Sequence, residues 1–88
     1  MNDQASPATT LHDVLVVHDQ SGTTWLAARA TIRAGRIVVA ISRATPPEGF
    51  FDRPTSTYSI RALDGGDRVR TFPHVTLASR SARELVFD

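Results

Sequence analysis

Two His-Asp steps, His12-Asp13 and His18-Asp19, stand six residues apart near the start of the chain, with a third histidine, His74, far along it. Imidazole beside carboxylate is the raw material of acid–base chemistry and of metal binding. The spacing argues against both uses here. On one extended strand His12 and His18 share a face about 20 Å apart, at roughly 3.3 Å per residue. Ligands of one metal lie about 2 Å from the ion, so the pair cannot share one. Ordinary surface or strand-end histidines fit better. The chain has no cysteine, which removes disulfides, thiolate catalysis and cysteine-ligated zinc. It also lacks a GxSxG elbow, an HExxH pair, a P-loop and a glycine-rich dinucleotide fingerprint. No cofactor, metal or catalytic residue is expected. A small enzyme survives as a third reading, and it requires a pocket that gathers a histidine, a carboxylate and a hydroxyl.

Arginine is the second chemical resource. All ten basic residues are arginine, against nine acidic ones. GC-rich coding accounts for the bias most simply; the alternative is selection for arginine's planar, bidentate fork. A net charge of +1 gives no independent argument for a polyanion partner. Strand-borne Arg29, Arg33, Arg36, Arg61, Arg68 and Arg70 are the candidates for anion or nucleic-acid binding. Few aromatics interleave with them, which weakens a base-stacking reading.

The third resource is the segment TPPEGFFDRP, Thr45 to Pro54. Its prolines stiffen a turn-rich stretch around two adjacent phenylalanines. A stiff loop loses little entropy on docking, so Phe50 and Phe51, with Arg53 beside them, are the candidate protein-binding knob. The competing expectation is that at least one ring folds back into the core. Neighbouring side chains on extended backbone point opposite ways, so one ring in and one out is the favoured arrangement.

These residues must be positioned by strands, because the dominant periodicity is two. LHDVLVV reads as a buried strand. TTWLAARATIR and RIVVAISR read as a hairpin about Ala34-Gly35, with Arg33 opposite Arg36. Its core face would carry Leu26, Ala28, Ala30, Ile32, Ile37, Val39 and Ile41. STYSIRAL and RVRTF read as a second hairpin about Gly65-Gly66, in a type I′ turn with Arg61 opposite Arg70. Tyr58, Ile60, Ala62, Val69 and Thr71 would share its core side. Pro73 ends that strand or sits at an edge, and HVTLAS is a further strand. SARELVFD is either a last strand or one helical turn, since Ser81 and Glu84 have capping-box spacing. The lone tryptophan, Trp25, is expected in the core.

The fold class that follows is mostly β, a small antiparallel barrel or sandwich of five to six short strands with an optional C-terminal helical turn. Residues 1–10 are polar and read as a disordered tail with no secretory-signal pattern, and 11–88 form one domain. No apolar run approaches membrane-spanning length. A cytoplasmic protein of accessory or adaptor type, such as small bacterial and phage proteins supply, suits this size and composition. Its expected partner is another protein, with nucleic acid as the alternative, and exposed strand edges favour a homodimer.

Overall fold

The computed structural model describes residues 9–41, 45–47, 49–51 and 55–88. The described residues form seven strands: β1 (Thr9–His18), β2 (Thr24–Arg33), β3 (Arg36–Ala40), β4 (Tyr58–Leu63), β5 (Val69–Val75), β6 (Leu77–Arg80) and β7 (Glu84–Phe87). All pair antiparallel in one curled sheet, a half-barrel, in the order β5-β4-β1-β2-β3-β7-β6. No helix long and apolar enough to cross a membrane occurs among the described residues. β1 begins at Thr9, so Thr9 and Thr10, assigned to the tail by sequence, pair with Ile32 and Thr31. The rest of that tail lies outside the described residues.

The curl comes from bulges. Opposite β4, β1 passes from His12↔Leu63 to Leu15↔Arg61, three residues against two. The extra step is taken at Asp13, whose φ is +51°. A bulge of this kind bends its strand and reverses side-chain parity beyond it. Leu11 and Val14 therefore both point into the core. β2 turns over at the same level, so the β1–β2 register is unbroken, and Trp25, Ala27 and Ala30 all face inward. Leu26 and Ala28, expected on the core face, point outward instead, and Leu26 is 60% exposed. His12 and His18, expected on one face, lie on opposite faces for the same reason. A second bulge at Pro73-His74 bends β5, with His74 at φ +57°. Pro73 thus sits inside an edge strand, where its missing N–H breaks no ladder.

The first hairpin has the expected tip. Arg33 pairs with Arg36 around Ala34 (φ +52°) and Gly35 (φ +77°), a two-residue turn with both angles positive. The second hairpin is one residue out of the expected register. Leu63 pairs with Val69, Ala62 with Arg70, and Arg61 with Thr71. The side chain of Asp64 accepts the Gly66 and Arg68 N–H groups at 2.9 and 3.1 Å. Asp67 takes the left-handed position at φ +58°. This aspartate-nucleated turn replaces the Gly-Gly turn, because a side-chain acceptor fixes the loop more strongly than glycine's tolerance does.

One continuous stretch, Val69 to Arg80, supplies both terminal strands of the sheet, with only Thr76 between β5 and β6. Thr76 and Asp88 exchange backbone hydrogen bonds at 2.8 and 3.2 Å, tying the junction to the end of β7. SARELVFD becomes β7 rather than a helical turn. Ser81 Oγ still accepts the Arg83 and Glu84 N–H groups, as it would at a helix cap, but closes the β6–β7 turn.

Ala34 holds a left-handed backbone that Asn adopts at lower cost. Ala34→Asn is expected to stabilise the domain by about 0.5–1 kcal/mol in urea denaturation.

Candidate functional site

The loop after β3 enters the half-barrel. Phe50 N–H donates to the Pro47 carbonyl at 3.1 Å, with Gly49 at φ +79°. That turn throws Phe50 back into the core, where it is 4% exposed. The Tyr58 hydroxyl donates to the Phe50 carbonyl at 2.9 Å and anchors the loop from below. The Phe51 ring is partly buried, 4.8 Å from Phe50, 5.2 Å from Tyr58, 6.2 Å from Phe87 and 6.5 Å from Trp25. The expected one-in, one-out arrangement is therefore absent: both rings join one aromatic cluster with Trp25, Tyr58 and Phe87. Arg53 lies outside the described residues. Phe51 and its neighbours Ile41, Pro46, Pro47, Arg80 and Leu85 line an open groove of about 310 Å³.

At the other side of that cluster the chain gathers His18, Asp19 and His74, singled out in the sequence, with the hydroxyls of Ser56, Thr57 and Ser59, which no sequence signal marks. His18 Nε2 lies 2.9 Å from Ser56 Oγ. His18 Nδ1 accepts the Ser21 backbone N–H at 3.1 Å. A backbone N–H can only donate, so the proton of neutral His18 is on Nε2 and points at Ser56. That is the wrong tautomer for deprotonating the serine, and Ser56 is only 4% exposed. Asp19 does not orient His18. Its carboxylate accepts Ser59 Oγ–H and Thr57 Oγ–H, both at 2.7 Å, and lies 3.2 Å from His74 Nδ1. The Ser59 hydrogen bond first and then that of Thr57, with a smaller contribution from His74, hold its pKa below the ordinary carboxylate value against the opposing effect of burial. The constellation works as a clasp: it fastens the β1–β2 turn to the start of β4 and to the β5 bulge.

The arginines divide between faces. Arg29, Arg33 and Arg36 are exposed on the outward side of β2 and β3. Arg36 Nε reaches Asp88 at 3.6 Å, which supplies the anion that its opposition to Arg33 calls for. Arg61 points outward opposite Thr71, whereas Arg70 follows Ala62 to the inner rim, its guanidinium 5.7 Å from the Phe72 ring centre. The expected cluster of Arg61, Arg68 and Arg70 on one face is thereby broken up by the one-residue register difference. Asp64 has its pKa lowered by the Arg68 and Gly66 N–H groups.

The outward face of β5, β4, β1 and β2 carries Leu26 and Val69, both expected in the core, beside Leu15 and Leu63. Leu26 opposes Leu15, and Val69 opposes Leu63. Leu15 and Leu63 are diagonal neighbours on adjacent strands. Leu26 and Val69 are each 60% exposed. Arg29 and Arg61 flank the four, and among the described residues no carboxylate forms an ion pair with either.

Against family models, curated proteins and solved structures, the chain has no match.

Two measurements check this geometry. Phe50→Ala is expected to cost about 3–5 kcal/mol of stability, the range for a buried phenylalanine, and Tyr58→Phe about 1–3 kcal/mol, because a buried carbonyl loses its donor. Because Asp19's folded pKa is depressed, its contribution is complete above the unfolded carboxylate value near 4 and fades as pH falls toward the folded value. Urea midpoints should therefore drop below about pH 4, and Asp19→Asn should flatten part of that drop.

Proposed function

We propose that this chain is a small non-catalytic β-domain that binds another protein through the outward face of β5, β4, β1 and β2. The observation that carries the reading is the exposure of Leu26 and Val69 in contact range of Leu15 and Leu63. A single exposed leucine is ordinary; Leu26, Leu15, Leu63 and Val69 on one sheet face, with outward Val17 next to Leu15, are the kind of patch that a partner covers. Arg29 and Arg61 at its margin suit an interface, where arginine is enriched and bridges apolar and polar contacts. The described part of the aromatic loop supports this by closing the core from the other side of the sheet. Phe50 then acts as ballast for the core, and Phe51 as its lid.

The reading is tested with a tagged chain exposed to lysate of its native host, treated with nuclease. A protein should remain bound after nuclease, and the doubly substituted chain Leu26→Glu, Val69→Glu should lose it while keeping its urea midpoint. Release by nuclease, or equal capture by the substituted chain, would count against protein binding at this face.

A further inference from the structure

We infer that the protein docked on this face is a second copy of the same chain, in a two-fold symmetric pair. The inference rests on the binding reading above and names its partner. A two-fold interface brings one patch against itself, so the patch must complement its own charge. This one does. Beside the four aliphatic residues it holds Arg29 and Arg61, and Arg68 in the bounding turn, against Asp13, Asp64 and Asp67. Three positive and three negative side chains leave it neutral. Among the described residues none of the three acids forms an ion pair with Arg29 or Arg61. Asp13 and Asp67 pair with His12, at 3.3 and 3.6 Å, and Asp64 caps its own turn. Asp13 and Asp67 remain 72% and 83% exposed at their side chains. Arg29 and Arg61, displayed beside an apolar centre and without an ion pair among the described residues, are matched by the exposed Asp13 and Asp67 of a second copy turned over the first.

A polyanion fits this face poorly, because the same aspartates repel it. Pairing of two copies through the free edge of β5 is also disfavoured. Arg68, Arg70, Pro73 and the bulge at His74 guard that edge, as edge strands are commonly guarded.

Sedimentation of the purified chain from low micromolar to millimolar concentration tests the inference. The expected result is a monomer–dimer equilibrium. Leu26→Glu with Val69→Glu, which bury unmatched charge in the apolar patch, and separately Arg29→Asp with Arg61→Asp, which set like charges against the facing aspartates, should each weaken it by about 30-fold or more. Arg70→Asp, off the patch, should leave it unchanged. Urea midpoints near that of the parent chain identify the variants as folded. A chain that stays monomeric throughout, or a dimer indifferent to both patch variants, would overturn the inference. If the chain is monomeric yet lysate capture still depends on Leu26 and Val69, the binding reading stands and the partner is a different protein.

Discussion

An extra residue at Asp13 turns β1 over, and β2 turns with it. That single step decides the identity of both faces of the sheet. Below the bulge Leu11 and Ala30 face inward; above it Val14, Val16, Ala27 and Trp25 do. A flat, unbulged pair would instead aim Leu26 and Ala28 inward with Ala30 and leave Trp25 in solvent. The bend also lets the sheet close over its own side chains, with no second layer above it. The core that results is small and tightly filled: Leu11, Val14, Val16, Val39, Ile60 and Phe87 are wholly enclosed.

Closing the sheet that way leaves two places to finish, and the chain treats them differently. The inner opening is plugged by Phe50 and Phe51, held by the Tyr58 hydroxyl. The corner beside it is fastened by polar groups, with Asp19 accepting from Thr57 and Ser59 while His18 is locked between Ser21 and Ser56. The first ties β4 to the loop 8 residues before it and the second ties it to the β1–β2 turn, 38 and 40 residues away, and both use their hydrogen-bonding capacity internally. The surface proposed for binding is on the outside of the sheet, where Leu26, Val69, Arg29 and Arg61 are left with solvent.

Hairpin tips and strand existence were legible in the sequence because they depend on local chemistry. Ala34-Gly35 set the β2–β3 register, and alternation marked the strands on each side. What failed was parity over longer distances. Nothing in Asp13 as a residue type announces a bulge, although aspartate tolerates positive φ better than most. A trace of it stands in LHDVLVV, where Leu11 and Val14 are three apart instead of two or four. At Gly65-Gly66 the glycines drew the eye, but Asp64 and Asp67 did the turning, and the one-residue difference moved Val69 outward and Arg70 inward. The polar clasp was illegible for another reason: Ser56, Thr57 and Ser59 look like ordinary polar positions at the start of a strand until the β1–β2 turn is brought against them. The phenylalanine pair is conspicuous in the sequence, but the turn at Pro47–Phe50 that carries both rings into the aromatic cluster is not.

The face assignment can be read chemically, since the chain has no cysteine. Leu26→Cys and Ala27→Cys, placed one at a time in the dilute folded protein, should differ sharply toward a maleimide reagent. The account requires rapid labelling at position 26 and strong protection at position 27. Protection at 26 with rapid labelling at 27 would mean that β2 does not turn over opposite Asp13, and the outward aliphatic surface would not exist.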